Sequence, residues 1–257
     1  SPDAPKGQNH RAWQWQYSVP GGPVVFDFQM SRSRAGPAAF LQNYRGVVQT
    51  DAYSAYDSVI GPGMIHAGCW AHARRKFHEA IPNDGPRSRG IMAMIAPLYG
   101  IEKVARESGL SPEARKDLRN QHAPAMLERL HRRLLELNPA RVGSPVLPKS
   151  PLGKAIRYTL GQWEALVRYL EDGRYEIDTN LVENAIRPSC VGKRNWLFIG
   201  HPDAGWRSAV IYSLLITARR YRLDPTAWLS DVLRRIPTCT QANLPELLPG
   251  NWKPKAA

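Results

Sequence analysis

The chain has 257 residues, with 35 Lys and Arg against 22 Asp and Glu, a formal net charge of +13. A hydrophobic fraction of 43% beside a charged fraction of 22% is enough apolar material for a core, which excludes a disordered basic tail. No stretch approaches the roughly 18 apolar residues of a membrane span, and no charged start leads into an apolar run as in an export signal. A cytoplasmic chain without a membrane partner is therefore expected. Cys69, Cys190 and Cys239 are far apart and include no CxxC pair, so neither a disulfide framework nor a four-cysteine zinc site is available. The basic excess points first to nucleic acid, because Lys and Arg neutralise phosphates and release condensed counterions.

In chain order, the first ten residues are turn-rich. Trp13, Trp15 and Tyr17 then alternate with Gln14 and Gln16, the period of a half-buried strand, and VPGGP turns into a second strand, PVVFDFQM. Together they read as a hairpin. Residues 37–44 form a short helix that carries Phe40 and Leu41 inward, and Gly46 opens a strand over 47–50 with Asp51 at its end. A helix over 52–60 is broken by Gly61-Pro62-Gly63, a strand follows over 64–68, and a helix runs from Trp70 to about Ala80. Residues 81–161 read as a helical insertion, with breakers at Gly109, Pro112, Pro139 and the 142–151 stretch. Beyond it, Asp178 caps a helix that Pro188 stops at Arg187. Residues 195–199 make a strand, and Val210, Ile211, Leu214, Leu215 and Ala218 share a helical face. Asp224-Pro225 starts a last helix to Ile236, after which residues 237–257 form a loose tail.

Two carboxylates stand where phosphoryl-transfer chemistry wants them. Asp51 ends an apolar strand, at a sheet edge where a ligand crevice opens, and Glu183 lies on a polar helical stretch, DTNLVEN. Carboxylates suit such a site because two hard cations about 3.5–4 Å apart activate the attacking oxygen and stabilise the leaving one. Taken singly, such an Asp is more often a turn or cap residue and such a Glu a solvated helix residue. Cys69 and His72 form a Cys-x-x-His pair, half a zinc site or a packing pair, followed at once by Arg74, Arg75 and Lys76. That triplet is either a solvated face or a phosphate contact. Asn180, Glu183 and Arg187 share one helix face by their spacing, which fits metal and phosphate or a plain Glu–Arg pair. Residues 184–257 hold 11 Lys and Arg against 4 Asp and Glu, more than half of the net charge. Helix-end placement competes with DNA binding as the reason.

The blocks QTDAYSAYD, GCWAHARRKFHEA, QWEALVRYLEDGRYEIDTNLVENAIRP with KRNWLFIG, and SLLITARRYRLDPTAWLSDVL occur in this order between Arg11 and Ile236. In this the chain resembles the transposases of insertion sequence 66 elements, of the DDE (Asp-Asp-Glu) group. The resemblance implies an α/β (α+β) fold: a ribonuclease-H-like mixed sheet whose two parts, 1–80 and 162–236, flank the helical insertion at 81–161. It implies that Asp51 and Glu183 are the second and third catalytic acids and bind Mg²⁺ or Mn²⁺ in a two-metal site. Cys69 and His72 match the signature that follows the second acid and, with Asn180, shape the site. Arg187, Lys193 and Arg194 match a basic stretch after the glutamate and, like Arg74, Arg75 and Lys76, serve DNA. The implied activity is metal-dependent DNA cleavage and strand transfer. The implied partners are transposon-end and target DNA, further copies of the chain, and accessory proteins of the same element, in a bacterial cytoplasm and on the nucleoid when bound.

Two features depart from the family pattern. The first acid belongs on a strand before Trp13, yet Asp3 stands outside an Asp-Glu-Thr motif and Asp27 lies on the following strand. An N-terminally truncated chain, inactive for want of that acid, is therefore expected. Asn184 also replaces the Arg usual beside the glutamate, which removes a phosphate contact. The alternative reading is a remnant that binds DNA or transposase subunits without catalysis. A basic RNA-binding protein that stacks bases on its eight tryptophans leaves the ordered motifs unexplained.

Overall fold

The computed structural model describes residues 11–51, 56, 59–196 and 199–254. The elements are β1 (Trp13–Ser18), β2 (Val24–Gln29), α1 (Ala35–Leu41), β3 (Gly46–Gln49), β4 (Met64–Ala67), α2 (Trp70–Glu79) and α3 (Gly85–Glu107). There follow α4 (Pro112–Glu136), α5 (Pro151–Gly161), α6 (Trp163–Val167), α7 (Asn180–Trp196), α8 (Gly205–Arg220) and α9 (Pro225–Arg235). This is a mixed α/β chain rich in helix. It divides into two compact units, one of residues 43–180 and one of residues 1–42 with 181–257.

In the 43–180 unit, β3 and β4 pair in parallel with Val48 opposite His66. Gly46 (φ +127°) and Gly63 (φ +85°) adopt backbone angles that L side chains rarely reach, and Gly46 N–H donates to Gly63 O at 2.9 Å. The ladder continues one residue past β3, where Thr50 N–H donates to Ala67 O at 3.1 Å. Helices α2 to α6 enclose one apolar core in which Trp70, Phe77, Ile95, Leu130, Leu134 and Ile156 are wholly buried. Each such side chain contributes about 1.5–3 kcal/mol by leaving water. The Trp70 indole N–H donates to Leu166 O at 2.8 Å, so its polar atom is satisfied as well. The helix starts follow local chemistry: Asp84, Ser111 and Ser150 each accept a hydrogen bond from a backbone N–H of the first turn, with proline beside the start.

In the other unit, β1 and β2 form the antiparallel hairpin, Trp15 facing Asp27 across the pair. Helix α8 lies along β2, and its side chains bond the strand's backbone: Thr217 Oγ1 accepts from Val24 N–H at 3.0 Å and Ser213 Oγ from Phe26 N–H at 2.8 Å. Gly205 lets α8 approach this closely, since a Cβ there would stand 2.2 Å from the Phe28 ring. The contact stripe is thus Gly205, Ala209, Ser213, Ile216 and Thr217.

Several sequence expectations are corrected here. The apolar face expected on α8 is only partly inward: Val210 and Ile211 are exposed, because a stripe of small and hydroxyl residues meets the strand instead. Phe40 is 44% exposed while Leu41 is buried, although Phe40 stacks on Tyr17 with ring centroids 3.7 Å apart. Pro188 does not stop α7, which runs on to Trp196, and Pro97 and Pro124 likewise lie inside α3 and α4. Proline forfeits one helical bond and strains its turn, and the rest of the helix repays that. Asn195 and Trp196 are therefore helical rather than part of a strand, while Leu197 and Phe198 lie outside the described residues. Most of the helix expected over 52–60 also lies outside them; Tyr56 and Val59 are in a turn. The expected loose tail is packed at least to Trp252: Leu247 is buried, Trp228 Nε1 donates to Leu247 O at 3.0 Å and Trp252 Nε1 to Asp231 Oδ2 at 2.7 Å. Finally, the strands make two separate two-stranded sheets rather than a single mixed one among the described residues.

Candidate functional site

Asp51 lies just beyond the carboxyl end of β3, the end of a parallel sheet at which ligand crevices open. Thr50 before it is buried, its Oγ1 2.9 Å from His66 Nε2. That contact fixes the strand end and leaves the next side chain facing outward. The Asp51 side chain is 44% exposed, with His72 Nε2 at 4.0 Å from Oδ2, and the Tyr158 hydroxyl donates to the Asp51 carbonyl at 3.3 Å. His72 is in the first turn of α2. Its Nδ1 lies 3.1 Å from Cys69 Sγ, which in turn accepts from Thr179 N–H at 3.3 Å and Thr179 Oγ1–H at 3.2 Å. A continuous chain of contacts thus runs from Asp51 through His72 and Cys69 to Thr179, the residue that leads into α7. Burial pushes the Cys69 thiol above its ordinary range, against the lowering effect of the Thr179 hydrogen bonds.

The basic triplet on α2 splits. Arg74 and Arg75 are exposed, whereas Lys76 Nζ sits 4.4 Å from the centroid of the Tyr158 ring. Asn180 opens α7, its N–H donating to Asp178 Oδ1 at 3.0 Å and its Nδ2 to Asp178 Oδ2 at 2.7 Å. Asp178 therefore acts near the helix start, as its sequence position predicts. Glu183 is part-buried in the first turn of α7, where a carboxylate is favoured by the helix dipole. Arg187, Lys193 and Arg194 are exposed on the same helix, the last two in its final turn.

The structure brings Asp51, Cys69 and His72 together within the 43–180 unit, which also holds Arg74, Arg75, Lys76 and Asn180. Glu183, Arg187, Lys193 and Arg194 belong to the other unit. No group of three or more His, Cys, Asp or Glu side chains is gathered for a metal ion among the described residues. Among the described residues the donors around Asp51 are one carboxylate, one imidazole and a buried thiol occupied by Thr179, whereas magnesium takes hard oxygen ligands. By itself this set does not fit the expected two-metal site.

Residues 2–207 match the family described as Transposase IS66 family, and residues 213–249 match the IS66 C-terminal element. The chain belongs to the IS66 transposase family. Among similar proteins of Sinorhizobium fredii (strain NBRC 101917 / NGR234), the one named Uncharacterized protein y4jD is 36% identical over 245 residues, covering 91% of this chain and 47% of that protein. Uncharacterized protein y4qI is 34% identical, covering 97% of this chain and 48% of its own length. Uncharacterized protein y4hP is 31% identical, with coverages of 91% and 45%. This IS66-family chain thus spans about half the length of the curated relatives it matches. No solved structure matches it. Among its described residues no helix is long and apolar enough to cross a membrane.

The sequence reading missed three partners in this IS66-family site: Thr179 beneath Cys69, His66 beside Thr50, and Tyr158 under Lys76. Thr179 carried a usable signal, a hydroxyl residue directly before a helix start. Tyr158 carried none, because it reaches the site from α5 through tertiary packing.

Proposed function

We propose that this chain is the catalytic region of a DNA transposase with a ribonuclease-H-like core, Asp51 and Glu183 being two acids of its DDE triad. The observation that carries the reading is Asp51: it lies at the carboxyl end of a parallel strand, against His72, within the family-matched sequence. The reaction is cleavage at the element end. Water attacks the phosphorus, the bond to the 3′ oxygen breaks, and the freed 3′-OH then attacks a target phosphodiester, releasing a target 3′-OH. A divalent cation such as Mg²⁺ or Mn²⁺ supplies charge stabilisation when held by the complete acid set. This chain's residues contribute carboxylate oxygens at Asp51 and Glu183, while His72 and Cys69 orient the Asp51 end of the site. Arg74, Arg75, Lys76, Arg187, Lys193 and Arg194 meet phosphates, and Asn180 shapes the start of α7. Transposon ends and target DNA are the partners, with self-association on DNA and accessory proteins of the same element.

The test uses a longer chain carrying an Asp-bearing strand ahead of Trp13, assayed for Mn²⁺-dependent joining of element ends. Joining is expected, and Asp51→Ala or Glu183→Ala should abolish it with DNA binding retained. No joining by the longer chain, or full joining by either variant, would refute the catalytic assignment. The net charge of +13 suits a second reading as well, a chain that binds DNA or transposase subunits without catalysis. Unchanged DNA binding with no joining under any metal would support it.

A further inference from the structure

Within the 43–180 unit a cleft of about 290 Å³ opens between α2, α3 and the start of α7. Its α2 wall presents Arg74, Arg75 and His78, at three- and four-residue spacing on one helix face. Its α3 wall presents Met92 and Tyr99, seven residues apart and so in line along that helix, and Asn180 closes one end. The chemistry of the two walls differs. Two guanidiniums and an imidazole suit an anion, whereas a thioether and a phenol ring suit a flat group with an apolar face. The Tyr99 phenol is pushed up by burial and by the charge of Asp178. Asp178 is itself buried and bonded to both nitrogens of Asn180.

A nucleotide combines an anionic phosphate with a flat base. The volume falls just below the roughly 300–1,000 Å³ typical of small-ligand clefts, so a base pair with its backbones does not enter. We infer that this cleft seats one unpaired nucleotide of a DNA strand, its phosphate on Arg74, Arg75 and His78 and its base against Met92 and Tyr99. The inference rests on the DNA reading above and adds to it a preference for unpaired DNA. Asn180, held by Asp178, presents an amide at the edge where a base is read by hydrogen bonds.

The test measures fluorescence anisotropy of the full chain with three labelled DNAs: a blunt duplex, the same duplex with a short single-stranded overhang, and that overhang made abasic. Stacking of one base predicts about tenfold tighter binding of the overhang DNA than of the blunt one. The advantage should vanish with the abasic overhang and in Met92→Ala. Arg74→Gln, a surface change checked by an unaltered thermal melt, should weaken overhang binding more than blunt binding. Equal affinity for all three DNAs, or equal weakening by Arg74→Gln, would overturn the cleft while leaving the DNA reading intact. Binding of free deoxyadenosine monophosphate without an overhang advantage would overturn the strand as the source. A chain that binds none of the three DNAs would overturn the DNA reading itself.

Discussion

The sulfur of Cys69 accepts two hydrogen bonds from Thr179 and lies against His72, which makes it a joint between the Asp51 end of the site and the root of α7. Removing an acceptor from a buried donor costs about 1–3 kcal/mol per group left unsatisfied. Cys69→Ala should therefore lower stability by at least that amount, and Cys69→Ser, which keeps an acceptor, should lower it less; urea denaturation midpoints measure both. The raised thiol pKa means less thiolate at neutral pH and slower alkylation. Mass spectrometry after brief iodoacetamide treatment should find the exposed Cys190 modified before the buried Cys69. Equal labelling of the two in the folded chain would contradict the joint. From sequence, the Cys-x-x-His spacing marks this place, but the zinc and packing alternatives are indistinguishable there. The deciding partner, Thr179, is 110 residues away and becomes visible only in three dimensions.

At the scale of elements, α3 and α4 hold the turn that precedes α7. Arg119 is fully buried on α4 and donates to both Glu102 oxygens, to Tyr169 O and Asp172 O, and to Tyr175 O. Arg115 joins Glu102 and Glu176, and Gly173 is needed because a Cβ there would stand 1.7 Å from Pro112 O. Burial alone would raise the Glu102 pKa, but the two arginines outweigh it and hold the carboxyl below its ordinary value of 4.5. A depressed folded pKa gives stability that is complete above 4.5 and lost as pH falls through the folded value. Glu102→Gln leaves Arg119 buried without a countercharge, a loss of about 3–5 kcal/mol. Thermal melts from pH 7 downward should show the variant less stable at pH 7 and the gap closing in acid; a gap constant with pH would exclude the ion pair as its cause. The helical character of this stretch was legible in the sequence, since the breakers at Gly109, Pro112 and Pro139 are local signals. The end of α7 was not, because proline signals a stop only when nothing else holds the next turn.

The two compact units explain the limits of the sequence reading at the scale of the molecule. The order of β1 to β4 was legible along the chain, yet the division at 42/43 and 180/181 follows contacts between distant segments, such as α8 on β2, that no local pattern announces. Charge is different, because it is additive and can be read directly. The net +13 should make DNA binding steeply salt-dependent, since each neutralised phosphate contributes about 0.9 to the slope of log affinity against log salt. Arg187, Lys193 and Arg194 are exposed on α7, and two explanations compete for them. If they meet phosphates, replacing all three with glutamine should lower the slope by close to three contacts' worth and leave the melting temperature nearly unchanged. If Lys193 and Arg194 serve only to complement the end of α7, each contributes about 0.3–1 kcal/mol, so the melt should shift while the slope stays put. Anisotropy titrations across a salt series, run beside thermal melts of the same variants, separate the two because helix ends and phosphates respond to different measurements.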